Sequence, residues 1–402
     1  MATATETLDG TTSSVGQVAN LPEPANRPVR VLALRSVDGA GGGAEAVLLR
    51  TAARLDPAQV RMTVCCIRRC GDGEYDFDRR AAALGIDYCE VAQKSILARG
   101  VLPALRQIVA QRQIEIVDAQ DYKAAFFAFH LARREGVTPV ATLHGWSGHH
   151  WRERLLYYPA EGLLAAAFPL AIAVSGEIRD TLVRWGSRPE RVRVLANGID
   201  PAEFRRNAAT TAQVRTSLGI GAGDVVIGAV GRLAWEKRFD VLLEAMARLL
   251  PRRPELKLMV VGEGDRKDAL QRQMHRLGIA HRCRLLGHRC DVIDLYQAMD
   301  VFVQSSDHEG SPTVVVEAMA MQVPVVATGV GGTAELVEHG VHGLLVPRRD
   351  PSALAAAVEQ TLGNREATAT RVAAARCRVE HELSFDARTR QLEQLYRELA
   401  DR

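Results

Sequence analysis

Lysine is nearly absent from this 402-residue chain. Of its 51 basic side chains only five are Lys, at positions 94, 123, 237, 257 and 267, and the remainder are Arg. Excess charge is missing too, since 48 acidic residues leave a formal balance of +3. So small a balance gives no global field for nucleic acid, and no nucleic-acid partner is expected; an anion site has to be built locally. The seven Cys, at 65, 66, 70, 89, 283, 290 and 377, are odd in number and form no C-x-x-C pair. Most sit in apolar runs such as Val64-Cys65-Cys66-Ile67, which argues against a disulfide framework or a zinc site. The N-terminus lacks a basic segment followed by an apolar one, so no secretory signal is expected. The longest apolar stretch, Leu163 to Val174, is too short to span a bilayer and carries Pro169. These absences together predict a soluble, cytoplasmic protein.

What remains is an ordinary globular balance of 47% apolar and 25% charged residues, in a chain long enough for two or three domains. Residues 1–28 are rich in Thr, Ser, Ala, Gly and Pro without periodicity and read as a disordered lead-in. From Val29 onward short apolar runs alternate with amphipathic stretches. The runs Val31–Leu34, Met62–Ile67, Ile114–Val117, Val140–Leu143, Ala171–Val174 and Val192–Leu195 read as buried parallel strands. A second series follows at Val225–Val230, Leu256–Val261, Arg282–Leu285, Val301–Val303, Pro324–Ala327 and Gly343–Val346. Helical segments separate them, among them Ala44–Leu55, Phe239–Leu250 and Thr313–Ala320. The alternation implies an α/β fold of two facing, doubly wound, Rossmann-like domains with an interdomain cleft. The first would span 29–204 and be completed by the C-terminal helix 385–402, the second would span 205–384, and a polar stretch around Pro201–Gln213 would join them.

Four constellations carry chemistry. Gly39-Ala40-Gly41-Gly42-Gly43-Ala44 follows the first strand and fits the loose pattern G-x-G-x-x-A, whose backbone N–H groups approach acceptor oxygens at a helix start. Arg68-Arg69 closes the second strand where a dinucleotide fold has an acid, which would suit the 2′-phosphate of NADPH and makes an oxidoreductase a rival reading. Gly231-Arg232-Leu233-Ala234-Trp235-Glu236-Lys237 follows the strand Val225–Val230 and brings two cations to its carboxyl end, where they can neutralise a diphosphate. The fourth, Ser305 to Thr313, runs into a helix that Ser311 or Thr313 can cap, with Pro312 in its first turn. The free N–H groups there make an anion site. Glu309 and Glu317 border it, and acids beside a phosphate fit best as ligands of sugar and ribose hydroxyls. The cluster His144, His149 and His150 could bind zinc, but no acid or Cys of suitable spacing joins it, and no metal is expected. Trp146, Trp151, Tyr157 and Tyr158 with Arg152 and Arg154 form a dense stretch that reads either as a helix packed on the sheet or as a surface facing an acceptor or the inner face of the membrane.

In combination these motifs resemble the retaining GT-B glycosyltransferases of family 4 over about residues 30–400. Glu309 to Thr328 is similar to that family's E-G-x-P-x-x-x-x-E-A-M-A-x-G-x-P-V-V-A-T signature, with Gln322 where the signature has glycine. Gly231-Arg232-Leu233, Glu236-Lys237 and Asp240 match G-R-L-x-x-E-K-x-x-D. Gly331-Gly332 through Pro347, Gly42 to Glu45, His144-Gly145 and Asn197 to Asp200 follow in order. The resemblance implies a metal-independent, retaining hexosyltransferase that needs no cofactor beyond a nucleotide-diphosphate sugar as co-substrate. The acceptor would be a hydroxyl of a glycan, a lipid-linked carbohydrate or a small molecule. A non-catalytic binder of sugar nucleotides or glycans on the same fold is the alternative. Arg232 and Lys237 would hold the diphosphate, with Thr313 and Val314 as amide donors beside Gly310. Glu309 would contact the transferred sugar and Glu317 the ribose. Gly43 would face the phosphate or acceptor, and His144 would lie near the reacting sugar.

Overall fold

The computed structural model describes residues 27–37, 43–69, 76–93, 100–145 and 158–402. The expected disordered lead-in therefore lies almost wholly outside the described residues. The first half contains β1 (Val29–Val37), α1 (Gly43–Arg54), β2 (Val60–Arg69), α2 (Phe77–Ala83), β3 (Asp87–Gln93), α3 (Val101–Arg112) and β4 (Ile116–Ala119). It continues with α4 (Tyr122–Glu135), β5 (Thr138–Leu143), α5 (Tyr158–Ala167), β6 (Leu170–Ala173), α6 (Gly176–Arg184) and β7 (Val192–Val194). These strands form one parallel sheet in the order β3-β2-β1-β4-β5-β6-β7. Val31, Leu32, Ala33 and Leu34 are wholly buried, because helices cover both faces of a parallel sheet and successive side chains all point into apolar layers. The edge strand β3 escapes a search for apolar runs: in Asp87-Tyr88-Cys89-Glu90-Val91-Ala92-Gln93 only Val91 is fully buried.

The second half opens with α7 (Ala208–Ser217), β8 (Val225–Val230), α8 (Phe239–Leu249), β9 (Leu256–Val261), α9 (Lys267–Arg276), β10 (Cys283–Leu285) and α10 (Val292–Ala298). Then come β11 (Val301–Gln304), α11 (Thr313–Ala320), β12 (Val325–Thr328), α12 (Gly331–Leu336), β13 (Leu344–Val346), α13 (Pro351–Gly363), α14 (Arg365–His381) and α15 (Phe385–Ala400). Its parallel sheet runs β10-β9-β8-β11-β12-β13. The expected polar joint is shorter than Pro201–Gln213, because Asn207 caps α7 by accepting from the amides of Ala209 and Thr210 at 2.9 and 3.2 Å.

In both sheets the strand order reverses beside the first strand, between β1 and β4 and between β8 and β11. Each reversal opens a crevice at the carboxyl ends of the strands. The chain crosses between domains twice, and the crossings touch: Ile199 bridges Ser384 in parallel, and the Phe385 amide donates to the Ile199 carbonyl at 2.8 Å. A Cβ on Gly198 would lie 2.8 Å from the Ser384 carbonyl carbon, so only glycine admits this approach. Past the second crossing, α15 buries Leu392, Tyr396 and Leu399 with Val31, Ala33, Cys66 and Val140 of the first sheet. Six cysteines among the described residues are free, and among those residues no helix is long and apolar enough to cross a membrane.

Candidate active site

The two crevices face one another across a cleft of about 1010 Å³. Its walls bring together Gly43 and His144 from the first domain with Arg232, Lys237, Glu309, Gly310, Thr313 and Val314 from the second. On the second-domain side, the loop after β8 carries the cations. Lys237 donates from Nζ to Glu309 Oε1 at 2.7 Å, and the Ser306 hydroxyl donates to the same oxygen at 2.6 Å. Arg232 donates from Nη2 to Glu236 Oε1 at 2.8 Å, with its own side chain 61% exposed. The Ser305 hydroxyl donates to the Lys237 carbonyl at 2.9 Å, which ties the cation loop to the carboxylate loop.

Asp307 anchors that second loop. Its wholly buried carboxylate accepts from Arg349 Nε and Nη2 at 3.0 and 2.8 Å and from Arg238 Nη1 at 3.2 Å. Burial by itself would raise the pKa of this group, but the two guanidiniums prevail and hold it below the usual carboxylate range. Both arginines sit in the left-handed backbone region, at φ 49° and 60°. That conformation costs on the order of 1–2 kcal/mol per non-glycine residue and persists only where surrounding contacts enforce it. Arg238, Arg349 and Asp307 were not among the residues anticipated for the site; a buried carboxylate held by distant arginines leaves no local pattern.

The helix α11 starts at Thr313 with Pro312 in the capping position and without a side-chain cap. The expectation that Ser311 or Thr313 caps it fails, because both hydroxyls are engaged elsewhere. Ser311 Oγ accepts from the Asn197 amide at 3.1 Å across the domain boundary, and Thr313 hydrogen-bonds Glu317. Thr313 and Val314, in the first turn of α11, line the cleft, and with no side-chain cap their N–H groups are free to serve an anion there. Glu317 does not line that cleft. Its carboxylate lies 3.0 Å from the Tyr296 hydroxyl, and burial pushes its pKa up.

On the first-domain side, His144 Nε2 lies 2.8 Å from Gln120 Oε1. Burial pushes this imidazole well below its usual value, and the nearby cations Arg35 and Arg388 act in the same direction; the ring is neutral at pH 7. The domains pack closely here: a Cβ on Gly310 would lie 2.5 Å from the His144 carbonyl oxygen, so the Glu-Gly pair of the signature needs glycine for packing. Further lining residues are Glu45 and Asn197, which belong to the matched stretches Gly42–Glu45 and Asn197–Asp200, and Arg35, Glu177, Glu263 and Arg289, single charged positions without a motif of their own. The Gly39–Gly42 part of the glycine loop, His149, His150 and the aromatic stretch 146–157 lie outside the described residues. Among those residues no group of three or more His, Cys, Asp or Glu is placed to hold a metal ion. Arg68, the cation of the NADPH reading, is 3.7 Å from Glu90 and does not line the cleft.

Residues 41–203 match the Glycosyltransferase Family 4 profile, and residues 224–364 match Glycosyl transferases group 1. The chain belongs to the family 4 glycosyltransferases. A curated relative, an uncharacterised glycosyltransferase of Methanocaldococcus jannaschii, is 34% identical over 48% of this chain and 50% of its own length. A D-inositol 3-phosphate glycosyltransferase of Corynebacterium urealyticum is 34% identical over 57% of this chain and 56% of its own. The chain thus spans about half the length of the curated relatives it matches. Among solved structures, Anabaena HepE, crystallised in complex with UDP-glucose, aligns with a TM-score of 0.80 and 25% identity, covering 91% of this chain and 98% of HepE. The glycosyltransferase WaaG of lipopolysaccharide biosynthesis, 16% identical with a TM-score of 0.69, shares the GT-B fold.

Proposed function

We propose that this family 4 glycosyltransferase moves a hexosyl unit from a nucleotide-diphosphate sugar to an acceptor hydroxyl, with retention and without a metal. The observation that carries the reading is the convergence of Arg232, Lys237, Glu309 and the open N-terminus of α11 on one wall of the cleft that His144 lines from the other domain. The second domain would hold the donor and the first the acceptor. The complex of HepE with UDP-glucose supports a uridine diphosphate hexose as the first donor to examine, and the D-inositol 3-phosphate glycosyltransferases support small hydroxylated molecules beside glycans as acceptors.

In this mechanism Lys237 and Arg232 neutralise the diphosphate together with the amides of Thr313 and Val314 beside Gly310. Their attraction grows as the sugar–oxygen bond breaks, so it lowers the barrier as well as tightening binding. Glu309 accepts hydroxyls of the transferred sugar. Lys237 already holds its Oε1, which places the carboxylate beside the phosphate site without net repulsion. Attack follows on the face from which the leaving group departs, with the leaving phosphate oxygen taking the acceptor proton. Gly43 would approach the donor phosphate or the acceptor from the first domain. Glu317, one turn behind the cleft wall, would reach a ribose hydroxyl only if its bond with Thr313 rearranged. The neutral His144 offers its carbonyl and ring edge to the sugar rather than a titrating proton.

A donor-hydrolysis screen across UDP-, GDP- and ADP-sugars tests the reading without an acceptor, and the expected outcome is slow release of one nucleoside diphosphate, unchanged by EDTA. Lys237→Ala should lower that rate about 10²–10³-fold while leaving the thermal transition intact. Release at the full rate by the variant removes Lys237 from the mechanism. Binding without any turnover would favour a non-catalytic sugar-nucleotide receptor.

A further inference from the structure

Behind His144, away from the cleft, lies a second cavity of about 10 Å³ lined by Val47, Thr51, Asp118, Gln120, Arg388 and Tyr396 among others. Three buried polar atoms in its wall have no hydrogen-bond partner in the protein: Thr51 Oγ1, His144 Nδ1 and Arg388 Nε. Thr51 and Arg388 are 3% and 5% exposed. Leaving a buried polar group unpaired is destabilising, so three around one small void call for a common partner. The void is about the size that a single water needs, and it offers the two to four polar neighbours such a water requires.

The surrounding hydrogen bonds fix the roles. Asp118 accepts from Thr142 Oγ1 at 2.7 Å on one oxygen, and from Gln120 Nε2 and the Tyr396 hydroxyl, both at 2.7 Å, on the other. With its amide nitrogen spent on Asp118, Gln120 turns its oxygen to His144, whose Nε2 must therefore carry the proton. Nδ1 of the neutral ring is then an acceptor, while Arg388 Nε is a donor. A water placed between them would accept from Arg388 and donate to His144, with the Thr51 hydroxyl as third partner. Arg388 also donates from Nη1 to the carbonyls of Leu195 and Ala196, both at 2.8 Å. These directly precede Asn197, whose amide and side chain hold Ser311 of the donor loop.

We propose that one ordered water, held by Arg388 Nε, Thr51 Oγ1 and His144 Nδ1, locks the His144 ring in its Nε2–H form. On this proposal Arg388 and Tyr396, on the C-terminal helix α15, are positioning residues for the transfer site. The inference rests on the transferase reading for its kinetic consequence but not for the water or the ring. It makes the helix that closes the chain part of the machinery that orients the acceptor-side wall.

The full-length chain carrying ¹⁵N-histidine, with the His144 signals assigned by their loss in His144→Gln, should show a protonated Nε2 and an unprotonated Nδ1. Its crystal structure should show one water within hydrogen-bond distance of all three atoms. Thr51→Val, nearly isosteric, should keep the fold and lower kcat roughly three- to tenfold, the worth of one hydrogen bond, with the donor KM unchanged. The His144 signals should broaden or shift in that variant, and Tyr396→Phe should move them in the same sense. A dry cavity, a proton on Nδ1, or a Thr51→Val enzyme with unaltered ring signals and kcat overturns the proposal. If the wild-type chain turns over no sugar nucleotide, the transferase reading fails, and the ring signals and the water still decide the lock.

Discussion

At the scale of single residues, the site is governed by who shares a proton or a charge with whom. The Lys237–Glu309 pair is the smallest unit with chemical content: Lys237 is one of five lysines in an arginine-rich chain, and it meets its carboxylate 72 positions away. Sequence reading could name both residues because each belongs to a local motif. It could not pair them, since a hydrogen bond between loops of two different strands has no sequence spacing. His144 makes a prediction with a definite sign. Burial first, then Arg35 and Arg388, depress its proton affinity, so the unfolded chain binds this proton more readily than the folded one. The stabilisation is fully present above the unfolded value of about 6.5 and is lost as pH falls below it toward the folded value. His144→Gln should flatten the pH dependence of stability below about pH 6.5 relative to the wild type, as measured by urea unfolding at several pH values.

At the scale of elements, the strands and helices follow from apolar runs and periodicity, and the structure departs from them where polar residues form regular structure. The edge strand β3 and the helix α7 are such places: one is half-solvated, and the other buries no residue fully. The turn after α11 is a sharper case. Gln322 stands where the family signature has glycine, and the turn forms regardless, with Gln322 at φ 55° and the Val323 amide donating to the Ala318 carbonyl at 2.9 Å. A side chain in the left-handed region costs about 1–2 kcal/mol, partly offset by the freedom glycine would gain in the unfolded chain. Gln322→Gly should therefore raise stability by about 0.5–1 kcal/mol, seen as a higher denaturation midpoint with an unchanged m-value.

At the scale of the molecule, the decisive feature is how the two sheets face each other. Glu335, in α12 of the second domain, accepts from the amides of Gly176 and Glu177 at the start of α6 in the first, at 2.7 and 3.1 Å. A carboxylate there satisfies first-turn donors and favours the positive end of the helix dipole. Glu335→Ala should loosen the closed arrangement: the radius of gyration in solution should rise, and donor KM should increase several-fold with a smaller change in kcat. Small-angle scattering and initial-rate kinetics check both. The sequence by itself determined the two parallel sheets, every strand of them but β3, and the residues of the cation and carboxylate loops, because periodicity and short motifs are local. Only the tertiary structure decided that Lys237 pairs with Glu309, that Arg238 and Arg349 grip Asp307, and that Arg388 of α15 lies beside His144. Those are contacts between segments tens to hundreds of residues apart, set by packing and charge neutralisation in a buried space that no local pattern encodes.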